Sequence, residues 1–271
     1  MHKDLITMIH IIPKPTDTST DNSTAMVIRE LERAGTNCQL LNLDSMNPFS
    51  EGPRGSIIWV CGLRQDTHQF EVLNALAAQN RLINTPDAIL TCASKVKTSA
   101  LLLKSGIRSP DTLFSASLER AEAFIHRWGA VVSKPVYGYD GKDIRLVRSP
   151  GELGSPPYYL QEYVCNDRDF RVFVIDGEAV GAISRTSDTL AHNIHQGGFG
   201  WPCLIDDPMQ EIAGAAAGAV GVDYGGVDLL IQDGAYTVLE VNGTPNWHCM
   251  AVPIPLLLAE YLREKEREFR C

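Results

Sequence analysis

The chain has no CxxC pair, and its seven cysteines, at 38, 61, 92, 165, 203, 249 and 271, are odd in number and widely spaced. That excludes a zinc ribbon and a disulfide framework, and leaves free thiols in a reducing cytosol, with Cys271 expected at the surface. No apolar run approaches the roughly 18 residues that span a bilayer. The apolar stretch at 5–12 is short and interrupted, and no small-residue cleavage site follows it, so it reads as a strand rather than a signal peptide. Positive charge is scarce: 24 Lys and Arg against 33 Asp and Glu give a net charge of -9. A broad phosphate-backbone binder is therefore not expected, although a local basic pocket for a small anion is compatible with this balance. No GxGxxG follows the first strand, which argues against a dinucleotide-binding Rossmann site. No internal repeat or low-complexity tract is visible. These absences predict a cytoplasmic protein that engages neither nucleic acid nor membrane.

What is present suffices for two or three lobes, since 271 residues can bury more than one core. The first third alternates. Strands are predicted at 5–12, 37–43 and 56–61, and helices at 25–33 and 70–78. This βαβα order favours a small parallel sheet with helices on its faces. Beyond it the character changes. Helices are predicted at 94–105, 118–128, 208–220 and about 255–269. Strands at 130–135 and 144–147 bracket a glycine turn, and another runs over 158–164. Two further pairs, 170–175 with 179–184 and 227–231 with 236–241, are joined by Asp176–Gly177 and Asp233–Gly234, both strong hairpin signals. The fold class is thus an α/β N-terminal domain over 1–92, followed by α+β lobes over 93–164 and 165–271, each built on an antiparallel sheet.

The most informative segment is GVDLLIQDGAYTVLEVNGTPN at 226–246. Asp228 lies on one strand; Glu240 and Asn242 lie on the other, two residues apart and so on one face. Setting Asp228 opposite Glu240 requires an odd-length loop or a bulge. Facing carboxylates repel, and a bound divalent cation would reverse that penalty. Oxygen-only donors suit magnesium or manganese rather than zinc. A solvent-facing acidic strand pair is the plainer alternative. Against it, both carboxylates sit within apolar runs, VDLL and VLEV, where an unpartnered charge is rare.

Lys134, in AVVSKPVYGYDGKDIRLV, ends a strand just before Gly138 and Gly141. Glycines let backbone N–H groups approach phosphate oxygens, and an ammonium is a suitable point charge for phosphate. Taken alone, an ordinary turn with an exposed lysine explains this segment as well, and a solvated helix lysine explains Lys95. Asp169 and Arg171 share a face beside the strand that carries Arg185; a surface ion pair is the plain reading. HNIHQGG at 192–198 holds two histidines without metal-site spacing.

Together and in this order, Lys95, Lys134 with its glycine turn, LQEYV, RDFRVFVIDGEAVGAISR, HNIHQGG and GVDLL…LEVNGTP resemble the ATP-grasp superfamily. The RimK-like branch of amino-acid ligases is the nearest fit, over roughly residues 82–250. The resemblance implies an α/β N-terminal domain followed by two ATP-grasp lobes with ATP between them. It implies that Lys95 and Lys134 contact the phosphates, Lys134 also lying near adenine, and that Gly138 and Gly141 belong to a loop closing over ATP. Gln161, Glu162, Tyr163 and Val164 would hold adenine, and Asp169 the ribose. Arg185 would lie beside the transferred phosphate, with Asn193 and His195 facing phosphates and substrate. Asp228, Glu240 and Asn242 would hold two magnesium (or manganese) ions.

The implied activity is ATP-dependent carboxylate–amine ligation through an acyl phosphate. Glutamate or another amino acid would be added to a small-molecule, coenzyme or protein carboxylate; homo-oligomerisation stays open. Two departures stand out: Lys142–Asp143 follow Gly141, and Asn246–Trp247 follow Pro245, where the family usually has glycine. The competing readings are a nucleotide-binding module without ligase activity and a phosphotransferase releasing a stable phosphorylated product.

Overall fold

The computed structural model describes residues 8–64, 66–137, 143–187 and 198–270. They form three sheets. In the first, β1 (Met8–Ile12), β2 (Asn37–Leu40), β3 (Ile57–Val60) and β4 (Arg81–Ile83) run parallel in the order β2-β1-β3-β4. Its central strands bury Ile9, Ile11, Ile57, Ile58, Trp59 and Val60, the continuous apolar runs of a sheet covered on both faces. Helices α1 (Ser23–Arg33) and α2 (Thr67–Ala77) accompany it. Each starts on a side-chain cap: Asn22 accepts the Ala25 N–H and Asp66 the Gln69 N–H. The chain goes from β1 to β2 on one side and to β3 on the other. The C-terminal ends of β1 and β3 therefore flank a topological switch point, where open α/β sheets bind ligands.

Two consecutive helices follow, α3 (Pro86–Ala93) and α4 (Lys95–Lys104), and Ser94 ends the first while capping the second. The second sheet holds β5 (Thr112–Ser115), β6 (Val131–Ser133), β7 (Arg145–Val147) and β8 (Tyr158–Glu162), antiparallel in the order β5-β8-β6-β7. Helix α5 (Leu118–Trp128) packs Ala121 and Ile125 into its core.

The third sheet is antiparallel, with β9 (Asp169–Ile175), β10 (Glu178–Thr186), β11 (Phe199–Cys203), β12 (Tyr224–Gln232) and β13 (Ala235–Asn242) in the order β11-β10-β9-β12-β13. Both of its Asp–Gly turns have positive φ at both residues, 51° and 80° at Asp176–Gly177, 52° and 78° at Asp233–Gly234. That is the twist-matched hairpin geometry the dipeptides predict. Helix α6 (Asp207–Val220) lies on this sheet through Met209, Ala213, Ala216 and Ala217, small side chains that let it sit close.

The last helix, α7 (Ile254–Arg270), returns to the first sheet. Its Leu258, Ala259 and Leu262 share one core with Ile9, Val27, Leu31 and Trp59, and with Phe173 and Tyr224 of the third sheet. Fully buried Asn84 adds a polar joint. Its Nδ2 donates to the carbonyls of Tyr224 (2.7 Å) and Gly243 (2.6 Å), and its Oδ1 accepts the Asp223 N–H at 2.6 Å. Among the described residues, β4, α3, β5 and β11 escaped the sequence reading. β4 is three residues long, and β11 (FGWPC) carries Gly and Pro, which strand patterns exclude except at an edge.

Candidate active site

A cavity of about 880 Å³ opens between the three sheets. Its floor is one face of β10, β9, β12 and β13. Arg185 pairs with Asp169 across β10 and β9, and Asp228 with Arg171 across β12 and β9, which sets four charges in two adjacent cross-strand pairs on one face. Arg185 donates from Nε and Nη2 to the two Asp169 oxygens at 2.6 and 3.0 Å, and from Nη2 to Asp228 Oδ2 at 3.0 Å. Arg171 forks onto the same Asp228, with Nη2 at 2.8 Å from Oδ2 and Nε on Oδ1. Arg185, Asp169 and Asp228 are all buried. Burial alone would raise the Asp228 pKa, but Arg171 and then Arg185 overcome it and hold the carboxyl at about 2. Asp228 and Asp169 likewise keep Arg185 charged against the pull of burial. The ion pair that plain reading places at a surface is thus a buried network.

Asp228 is also opposite Glu240. The β12–β13 register slips between Asp228 and Leu229, so that Leu229 faces Val238 and Leu239 is the extra residue. The bulge needed to oppose the two carboxylates is present. Asn242 lies beside Glu240, its Nδ2 3.4 Å from Glu240 Oε1 and 3.4 Å from the Gly226 carbonyl. This donor set, two carboxylates and an amide oxygen on one sheet face, fits a hard divalent cation. Asp228 is already shared with two guanidinium groups, whereas Glu240 makes no salt bridge among the described residues. Among those residues no group of three or more His, Cys, Asp or Glu is arranged around a common point, so the amide is part of any such set.

The opposite wall comes from the second sheet and α4. Lys134 Nζ donates to Gln161 Oε1 at 2.6 Å, and Gln161, 2% exposed, donates in turn to Thr112 Oγ1 at 3.3 Å. Burial above all lowers the Lys134 pKa; Glu240 and Asp228 oppose the fall and Lys95 adds to it, leaving the ammonium at about 8. Lys95 reaches the same wall because the Ser94–Tyr137 bridge and the Lys95 N–H to Val136 carbonyl bond (3.2 Å) tie the start of α4 to the segment after β6. Glu162, Tyr163 and Val164 line the cavity with Gln161. The Glu162 carboxylate holds the Asp111 N–H at 2.9 Å and the Gln232 amide, and its own N–H donates to the Asp111 carbonyl at 2.8 Å.

Of the residues singled out from sequence, Lys95, Lys134, Gln161 to Val164, Asp169, Arg185, Asp228, Glu240 and Asn242 all line this cavity. Gly138, Gly141, Asn193 and His195 lie outside the described residues. Sequence reasoning passed over Arg171 as a site residue, missed Lys14 and noted Asn246 only as a departure from the family pattern; all three also line the cavity. A signal for Lys14 existed: it stands just past the end of β1, beside the switch point. Arg171 was separable from a surface partner only by burial, which depends on strand neighbours distant in sequence.

A charged cleft between two antiparallel sheets, preceded by an α/β domain, defines the ATP-grasp class. The profile described as a RimK-like ATP-grasp domain matches residues 92–259, and the chain belongs to that family. It is 32% identical over 195 residues to a tetrahydromethanopterin:alpha-L-glutamate ligase of Methanococcus maripaludis, covering 66% of this chain and 67% of that one. It is also 32% identical over 182 residues to human N-acetylaspartylglutamate synthase A, covering 60% of this chain and 46% of the relative. The ATP-grasp ligase PsnB, in complex with a minimal precursor, Mg and ADP, superposes with a TM-score of 0.76 at 21% identity, over 95% and 97% of the two chains. The chain is an ATP-dependent carboxylate–amine ligase, as its sequence motifs imply. No helix among the described residues is long and apolar enough to cross a membrane.

Proposed function

We propose that this ligase joins glutamate to a carboxylate of a small-molecule acceptor in the cytoplasm, with ADP and phosphate as the other products. The observation that carries this reading is the opposition of Asp228 and Glu240, with Asn242 beside them, beneath a wall bearing Lys95 and Lys134. Glutamate is favoured because relatives at 32% identity are named for glutamate products. The six described cysteines are free, in keeping with a reducing compartment.

The acceptor's carboxylate oxygen attacks the γ-phosphorus of ATP, and the bond to the β-bridging oxygen breaks, giving an acyl phosphate and ADP. The glutamate amine then attacks the acyl carbon, phosphate leaves, and the amine loses a proton. Bound magnesium, one ion or two, supplies charge neutralisation on the phosphates; Asp228, Glu240 and Asn242 would hold it. Lys95 and Lys134 would fix the phosphate oxygens, and Gln161 orients the Lys134 ammonium through their hydrogen bond. Backbone groups at 162–164 would edge the adenine, and Asp169 the ribose. Arg185, fixed by two carboxylates, would face the phosphoryl group in transfer. Asn193, His195 and the glycines at 138 and 141 keep the roles the family resemblance implies for them.

The test is ADP release with pooled carboxylates, with and without glutamate. Turnover that needs both substrates supports the reading. Turnover without any amine would point to a phosphotransferase. Nucleotide binding with no turnover across the pool would sink the pairing of glutamate with a small-molecule acceptor proposed here.

A further inference from the structure

We propose that Lys14 and Asn246 form a subsite for a non-reacting carboxylate of the substrate, on the N-terminal wall of the cavity. The proposal rests on the ligase reading above and adds the residue that selects acidic substrates. Lys14 lies two residues beyond β1, at the switch point of the parallel sheet. Gly62, just beyond β3, makes room for it: a Cβ there would stand 2.8 Å from Lys14 Cγ and 3.0 Å from Lys14 Cα. The Lys14 N–H donates to Thr24 Oγ1 at 3.0 Å, which fixes the backbone from which the side chain departs.

The side chain crosses from the first sheet to the turn after β13. Nζ donates to Asn246 Oδ1 and lies 3.5 Å from the Thr244 carbonyl. Both are neutral oxygens, so they orient the ammonium without cancelling its charge, and an ammonium has a third donor. The arginines of the cavity are different: Arg64, Arg171 and Arg185 each sit on a carboxylate. The carboxylates near Lys14, Asp17 and Asp21, are both engaged elsewhere, and Asp21 meets His248 Nε2 at 3.2 Å. Asp17 accepts the Ser23 N–H at 2.9 Å and the Thr24 N–H at 3.1 Å, together with the Thr24 hydroxyl. It serves the positive N-terminus of α1. Burial, and more weakly Arg171, disfavour the charged Lys14 and outweigh the pull of Cys61, Asp17 and Asp21 towards it; an incoming carboxylate would offset that deficit. Asn246 is also the residue that departs from the glycine usual in the family at this place.

The test is calorimetric titration of succinate, citrate and L-glutamate into the full chain saturated with magnesium and a non-hydrolysable ATP analogue. Lys14→Gln should weaken at least one of the three by about tenfold or more, and Lys14→Arg should keep most of the affinity. Asn246→Asp, which sets a carboxylate against the ammonium, should weaken the same ligand. Analogue affinity and thermal midpoint should stay near wild type in all three variants. Losses confined to succinate and citrate assign the subsite to the acceptor, and a loss confined to glutamate assigns it to the amino acid; either supports it. Wild-type binding of all three ligands by Lys14→Gln overturns the subsite, as does failure of the wild type to bind any of them. Failure of the wild type to bind the analogue would instead strike the ligase reading itself.

Discussion

Asp228 and Glu240 face each other across β12 and β13 because Leu239 is an extra residue in the second strand. The two carboxylates have unlike surroundings. Asp228 is buried and clamped by Arg171 and Arg185, whereas Glu240 is half-buried with an amide beside it. Substitutions at the two positions should therefore fail in different ways.

Glu240→Gln keeps the shape of the side chain and removes its charge. If Glu240 holds magnesium against the phosphates, turnover should fall by about two to three orders of magnitude, the scale of losing one preorganised electrostatic contact. Thermal unfolding should barely move, because Glu240 makes no salt bridge among the described residues. Retained magnesium-dependent turnover would refute the metal assignment.

Asp228→Asn should cost stability as well as turnover, because the same carboxylate belongs to the cation donor set and to the buried ion-pair network. The substitution leaves buried Arg185 and part-buried Arg171 short of a counter-charge, which costs about 3–5 kcal/mol, read by urea unfolding near neutral pH. The folded pKa of about 2 lies below the ordinary 3.8, so the wild-type carboxylate stabilises the fold above that ordinary value. The contribution fades as pH falls from 3.8 through 2, and the gap between variant and wild type should close over that window.

Lys134 should make nucleotide affinity pH-dependent. Burial lowers its pKa from 10.5 to about 8 in the free protein, and phosphate oxygens would restore the charged form. Binding above pH 8 then takes up a proton, and affinity should weaken by up to about tenfold per pH unit. Calorimetry in buffers of different ionisation enthalpy measures that proton, and Lys134→Met should abolish it. The stability effect has the opposite sense: the fold should gain stability between pH 8 and 10.5, where the unfolded lysine holds its proton more tightly.

Asn84→Ala should loosen the joint between the first and third sheets. It strands the Tyr224 and Gly243 carbonyls and the Asp223 N–H in a buried place. A loss of about 2–4 kcal/mol is expected, with hydrogen exchange rising first around Tyr224. A variant with unchanged exchange there would show that α7, the Tyr224 hydroxyl on the Val60 carbonyl and the Arg81–Asp223 pair suffice to hold the two sheets together.

Much of this protein was legible in the chain as written. Local chemistry determined the Asp–Gly hairpins, the alanine face of α6 and the spacing of Glu240 and Asn242. The order of the motifs carried the family and its ligase chemistry. Only the tertiary structure decided what the charges do. It slipped the β13 register by one residue, buried Arg171 against Asp228, and turned Gln161 into the support of Lys134. It also brought α7 back to the first sheet and set Lys14 against Asn246. Such outcomes depend on strand neighbours tens to hundreds of residues apart and on how far water is excluded between them. Neither quantity has a local signature, because burial is a property of the assembled sheets and not of any one segment.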